Sequence, residues 1–150
     1  GVMNFYDVEY TEEEENLKQE ILKQCNWPKS FNQPYLVEGN KEFVNKIGEN
    51  YHRGITITAN GFYAPQGRQL RLKAKDPDLN ERLRSFSFEN NRIVNYEMET
   101  SALYGLSKAL GHDACTVCAV VANRYANSFS KNYKGVIDQL IKEVLSKLVD

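Results

Sequence analysis

Two carboxylates stand two positions apart in Glu97-Met98-Glu99, and the residues around them change character at that point. Arg92–Tyr96 is rich in β-branched and aromatic residues, whereas Ala102, Leu103, Leu106, Ala109 and Leu110 recur at helical spacing. The acids therefore mark a strand that runs into a helix. A helix start by itself favours acidic residues, which complement its free amides and its dipole, so either glutamate alone has that explanation. The carboxyl end of a strand in an α/β sheet is also where such folds hold ligands, and two further strand ends carry polar groups. Arg53–Ala59 alternates as a strand and leads through the Asn60-Gly61 turn into Phe62-Tyr63-Ala64-Pro65-Gln66-Gly67-Arg68, which offers rings, an amide and a guanidinium. Ala114–Ala122, the most apolar run, ends in Asn123-Arg124. Acceptors on one strand end and donors on two others converge as a site would.

The elements that must position these groups follow from periodicity and punctuation. Thr11 with Glu14 has capping-box spacing, and Glu12–Glu15 fills the first turn of a helix that ends near Cys25. The acidic run reads as a solvated helix start. Leu17, Ile21 and Leu22 supply that helix's apolar stripe. A short strand is expected at Pro34–Val37 and a helix over Lys41–Tyr51, weakened by Gly48. After the aromatic loop, Leu70–Lys75 reads as basic and extended. Asp76 then caps a helix to Ser85, with Pro77 at its first position. Gly111 closes the helix that follows the two glutamates. Tyr125–Lys134 is a polar loop, and Gly135–Leu148 is an amphipathic helix with Val136, Ile137, Leu140, Ile141, Val144 and Leu148 inward. The alternation predicts an α/β fold, a three-layer α/β/α sandwich around a mixed central sheet.

The 150 residues amount to one domain, with 41% hydrophobic and 26% charged residues. A net charge of -1 excludes a broad electrostatic nucleic-acid surface, although Arg68, Arg71, Lys73 and Lys75 cluster. No apolar run reaches the roughly 20 residues of a membrane span, and three cysteines make reduced thiols in the cytoplasm the expectation. Cys115-x-x-Cys118 has metal spacing but lies in the expected Ala114–Ala122 strand, where residues three apart face opposite ways, so no metal is assigned. His52 and His112 read as helix-end residues.

The three polar segments, in this order, resemble the nucleoside phosphorylase family that contains uridine phosphorylases, hexameric purine nucleoside phosphorylases and methylthioadenosine nucleosidases. Asn95-Tyr96-Glu97-Met98-Glu99-Thr100-Ser101-Ala102 is similar to the family's ribose-binding segment, and Phe62-Tyr63-x-x-Gln66-x-Arg68 to the base-binding loop of the uridine phosphorylase branch. Asn123-Arg124 stands where purine-specific relatives carry a catalytic aspartate. Within the loop the family's order is proline, glycine, glutamine, then an acid and arginine. Here Ala64-Pro65-Gln66-Gly67-Arg68 departs from that order but keeps the Gln-x-Arg spacing.

The resemblance implies phosphorolysis of uridine to uracil and ribose 1-phosphate, with nucleoside and phosphate as partners, phosphate as cosubstrate and no cofactor. Glu99 would accept hydrogen bonds from the vicinal ribose hydroxyls, Glu97 would support it or reach the 2′-hydroxyl, and Met98 would pack on the sugar face. Gln66 would pair with the carbonyl and N–H of uracil. Arg68 would stabilise the uracil anion as the glycosidic bond breaks. Phe62 would stack, and Arg124, in place of an acid, favours a pyrimidine. Alternatives are a nucleosidase, a purine-type phosphorylase or a non-catalytic nucleoside-binding module. The family's phosphate-binding segments have no counterpart here. The apolar opening GVMNFYDVEY is likewise abrupt. The expectation is therefore a C-terminal portion of a single phosphorylase-like domain, incomplete at its N-terminal side and inactive alone, from a homo-oligomer that is a dimer or hexamer.

Overall fold

The computed structural model describes residues 9–149; residues 1–8, most of the apolar opening read above, lie outside the described residues. The chain divides into two compact units. The first comprises the residues up to Glu38 together with Arg53–Ala114, and the second comprises Gly39–His52 together with the residues from Cys115 onward.

The first unit opens with helix α1 (Glu12–Gln24). Its start is a complete capping box: the Thr11 hydroxyl accepts from the Glu14 N–H at 3.1 Å, and the Glu14 carboxylate accepts from the Thr11 N–H at 2.8 Å. The acidic run is not wholly solvated, however. Glu14 is only 2% exposed. Its carboxylate also accepts from the Glu38 N–H at 3.1 Å and from Lys108 Nζ at 2.8 Å, because the capping-box geometry turns this one acid of the four inward. Burial pushes its carboxyl up, but the bonds from Lys108, Thr11 and Glu38 outweigh that and hold it below the ordinary range.

Three strands form a mixed sheet in the order β1-β3-β2: β1 (Ile55–Thr58), β2 (Ser87–Phe88) and β3 (Asn91–Glu97). β1 and β3 run parallel, with Thr58 opposite Glu97, and the short β2, unmarked by any sequence signal, returns antiparallel to β3. The crossover between the parallel strands contains α3 (Leu79–Ser85). The core lies between α1 and this sheet: Leu17, Ile21 and Cys25 pack with Leu83 and Phe86, and Ile55, Ile57, Ile93 and Tyr96 close around them. The strand expected at Pro34–Val37 is absent. Leu36 packs on the core from irregular backbone, and Pro34 has no N–H to give a ladder. Leu70–Lys75 is a series of bends whose Leu70 and Leu72 are exposed, since no element covers them. Asp76 does not cap α3. Its carboxylate binds Arg82 and the Asp78 N–H, so a turn precedes the helix and Asp78 takes the cap position without a side-chain bond.

Helix α4 (Thr100–Ala109) follows β3 after two residues and packs on β1. Its C-terminus is a Schellman motif: the Gly111 N–H donates to the Lys108 carbonyl and the His112 N–H to the Ser107 carbonyl, with Gly111 at φ 72°. Thr100 and Gly105 are its buried residues, whereas the expected stripe is open, with Leu103, Leu106 and Leu110 all exposed. Small residues allow close approach to β1 and leave the leucines on the outer side.

In the second unit, α2 (Lys41–Ile47) packs against α5 (Tyr133–Val149). Gly48 ends α2 earlier than expected as its C-cap, and α5 begins two residues earlier. Seven residues of helix reach about 10 Å and seventeen about 25 Å at 1.5 Å per residue, so α2 cannot cover its neighbour. No α5 residue is fully buried, and Val136, Ile141 and Leu148, expected inward, are exposed. Polar ties reinforce the pair: Tyr51 donates to Glu143 at 2.5 Å, and Lys147 donates to the terminal Ile47 carbonyl at 3.0 Å. The apolar run contains no strand over 114–121, so the Cys115/Cys118 spacing does not lie in a strand either. Only its last residue joins a sheet, a hairpin of β4 (Ala122–Asn123) and β5 (Ser128–Phe129), the latter inside the expected polar loop. An apolar run becomes a strand only beside a ladder partner, and the hairpin's backbone bonding reaches back as far as Val121, whose carbonyl accepts from the Ser130 N–H at 2.9 Å.

Candidate active site

The ends of β1 and β3 meet at the start of α4, and a single residue organises the junction. Thr56 and Thr58 alternate with Ile55 and Ile57 along β1, and the register sets Thr58 opposite Glu97. The Thr58 hydroxyl donates to Glu97 Oε1 and accepts from the Ser101 N–H at 2.9 Å. Glu97 Oε2 accepts from the Glu99 N–H at 2.7 Å and the Thr100 N–H at 2.6 Å. Glu97 thus satisfies the free amides at the head of α4 from outside the helix, work that a cap residue ordinarily does. Burial pushes its carboxyl up, yet the bonds from Thr58, Glu99 and Thr100 more than offset that and keep it below the ordinary carboxylate range.

Glu99 is the opposite case. It occupies the cap position of α4, but its side chain makes no capping bond. It is exposed, and its carboxylate takes no hydrogen bond from the described residues. The two acids that looked alike in sequence have divided their tasks. Glu97 is fixed within the fold, and Glu99 is presented to solvent beside the positive end of a helix. Met98 between them is 40% exposed.

The loop after β1 forms a second group. A single 3-10 turn over Ala64–Gln66 is closed by Gly67 in the left-handed region at φ 73°, where a glycine carries no steric cost. The turn buries Gln66 to 5% exposure. Arg68 folds back over the loop: Nη1 donates to Gln66 Oε1 at 2.6 Å and to the Phe62 carbonyl, and the guanidinium lies 3.7 Å from the centroid of the Phe62 ring. Phe62 meets Tyr63 edge to face at 5.3 Å. Phe62, Gln66 and Arg68 are therefore brought together as one unit, with one face of the Phe62 ring taken by the cation.

Arg124 lies in the second unit, exposed in the turn between β4 and β5. That turn is shaped by Asn123 Oδ1, which accepts from the Ala126 N–H at 3.1 Å, and by Asn127 at φ 45°.

Two contributors were missed in the sequence. Thr58 was recoverable, since clean alternation in β1 places it on the face opposite the isoleucines. Asn80, in α3, was not: its amide binds the carbonyl of Gln66 and the hydroxyl of Tyr96, and nothing in its spacing announces either partner. Among the described residues no three of His, Cys, Asp or Glu gather as a metal ion would require, and no helix is long and apolar enough to cross a membrane.

The geometry can accept hydroxyl hydrogens at Glu99, and it can offer an amide and a cation from the neighbouring loop. Comparisons with known proteins identify the family. The family model described as the phosphorylase superfamily matches residues 10–148. A uridine phosphorylase of Thermococcus kodakarensis is 38% identical over an alignment of 96 residues that covers 60% of this chain and 32% of that protein. A solved nucleoside phosphorylase of Trypanosoma brucei, described as showing uridine phosphorylase activity, superposes with a TM-score of 0.84 at 25% identity. That match covers 95% of this chain and 51% of the other. The chain spans about a third of the first relative's length in the aligned region and about half of the second's.

Proposed function

The chain belongs to the phosphorylase superfamily, and from that premise we propose that its first unit holds the ribose and base of a pyrimidine nucleoside for phosphorolysis. Glu99 accepts hydrogen bonds from the ribose hydroxyls while Glu97 keeps the strand-to-helix junction in place. Met98 covers the sugar's apolar face. The buried Gln66 amide pairs with the base, and Arg68 donates to a base carbonyl. A phosphate oxygen bonds to C1′ as the C1′–N1 bond breaks. The bonding pair leaves on the base, whose anion is stabilised by the Arg68 charge before it takes a proton from solvent. The products are uracil and ribose 1-phosphate. Phosphate is the cosubstrate, and the residues assigned here serve the nucleoside. The whole enzyme is taken to be a cytoplasmic homo-oligomer.

One observation carries the reading: Arg68 and Gln66 are joined at 2.6 Å on the loop leaving β1, the strand paired to the one that delivers Glu99, whose carboxylate takes no hydrogen bond from the described residues. An amide with a guanidinium at its oxygen suits a base rich in carbonyls. Calorimetry on this chain with uridine and adenosine tests it. Tighter binding of uridine is expected, and equal affinity for the two would overturn the pyrimidine assignment. Uridine cleavage that proceeds equally with and without phosphate, measured on the whole enzyme, would overturn phosphorolysis.

A further inference from the structure

The loop bearing Gln66 and Arg68 has internal hydrogen bonds from the Gly67 N–H to the Ala64 carbonyl and from the Arg68 N–H to the Tyr63 carbonyl. Those bonds fix its shape but not its height above the sheet. The height is set from outside. Asn80 Nδ2 donates to the Gln66 carbonyl at 3.2 Å, and Asn80 Oδ1 accepts from the Tyr96 hydroxyl at 2.5 Å. Tyr96 immediately precedes Glu97 on β3. One amide therefore spans the base-holding loop and the strand whose end carries the two glutamates. The fit is close: a Cβ on Gly67 would lie 1.6 Å from Asn80 Nδ2, so the loop backbone rests directly on this side chain.

We propose that Asn80 is a positioning residue that sets the distance between the Gln66–Arg68 pair and Glu99, and through that distance the fit of base and ribose. The proposal rests on the reading of these groups as a nucleoside site. Its chemistry is specific. The bridge needs a donor toward Gln66 and an acceptor toward Tyr96 on a side chain of this length, and an asparagine amide has both. Aspartate keeps the shape and the acceptor, but sets an oxygen against the Gln66 carbonyl. Glutamine adds a methylene where Gly67 leaves no room.

The test uses the full chain with Asn80→Asp, Gln66→Ala and the double variant, read by uridine calorimetry and by hydrogen exchange. In Asn80→Asp the Gly67 and Arg68 amides are expected to exchange at least about ten-fold faster while β1 and β3 amides keep their rates, since the loss of one clamp releases the loop alone. Uridine affinity is expected to fall about ten-fold, equivalent to one lost interaction of ordinary strength. Added to Gln66→Ala, it should cost less than it does alone, because only Arg68 is then left to be misplaced. Wild-type loop exchange and uridine affinity in Asn80→Asp, with Gln66→Ala weakened, would overturn the role of Asn80 and leave the base site standing. Losses that add in the double variant would also overturn it, because they mark general destabilisation. An unchanged uridine affinity in Gln66→Ala would instead remove the base-site reading, and the positioning role with it.

Discussion

Residues 91–97 and 114–122 both look like strands that end in polar groups, yet they have different fates. The first becomes β3, paired on both sides, and its terminal Glu97 is bonded to Thr58 and to the amides of Glu99 and Thr100 at the head of α4. The second is irregular until Ala122, and its polar end is an exposed hairpin turn shaped by one Asn123 bond. The lesson is about what places a polar side chain. An apolar run sets only direction, whereas a ladder on either side sets height and register, and only then does a terminal side chain meet partners at bonding distance.

This contrast can be broken most sharply at Glu97. Glu97→Ala removes the acceptor of the Thr58 hydroxyl and leaves the Glu99 and Thr100 amides at the head of α4 to solvent. With charge-assisted bonds lost at a helix start, about 3 kcal/mol of stability should go, read as an earlier urea midpoint at unchanged slope. A wild-type midpoint would mean that the junction is held by packing alone. Gly67→Ala comes next. A side chain at φ 73° that also meets Asn80 should cost about 2 kcal/mol, with uridine affinity falling alongside.

Acid tests the first unit without mutation. Glu14 and Glu97 both have carboxyls held below the ordinary range in the folded first unit. Each therefore adds stability that is complete above the ordinary carboxylate pKa and is lost as pH falls through its lowered folded value. Urea midpoints followed from neutral pH downward should decline through that window, and Glu97→Gln should flatten part of the decline. Glu99→Gln should change stability by less than about 0.5 kcal/mol, as for other exposed positions, but weaken uridine binding by about ten-fold through loss of a charged acceptor. Unfolding rather than weakened binding would return Glu99 to a purely structural role. The smallest effect belongs to the hairpin, where Asn123→Ala should shift stability by no more than about 0.5 kcal/mol.

Much of the fold was legible because its signals are local. The Thr11/Glu14 box, the Gly111 stop and the change from strand to helix at Glu97 each depend on neighbours within a few residues, and all are present. What escaped depended on residues distant in sequence. Glu14 is buried because Lys108 and Glu38 come to it, and Asp76 is drawn from its cap by Arg82. The face of α4 that is buried carries Thr100 and Gly105, and Leu103, Leu106 and Leu110 are exposed. At the candidate site, Phe62, Gln66 and Arg68, singled out by type and spacing, do come together in the structure. The division of labour between Glu97 and Glu99 was not, since it follows from the Thr58 register and the cap geometry of α4.

The resting position of Arg68 has a kinetic consequence. Its guanidinium is already seated on the Phe62 ring and bonded to Gln66 and to the loop backbone, so a long side chain reaches a ligand with most of its rotamers already excluded. Ordering such a side chain on binding otherwise costs about 0.5–1.5 kcal/mol. The nucleoside capture proposed for this loop should then occur in one phase at a rate nearly the same for different bases, and discrimination between bases should be read in how long each remains.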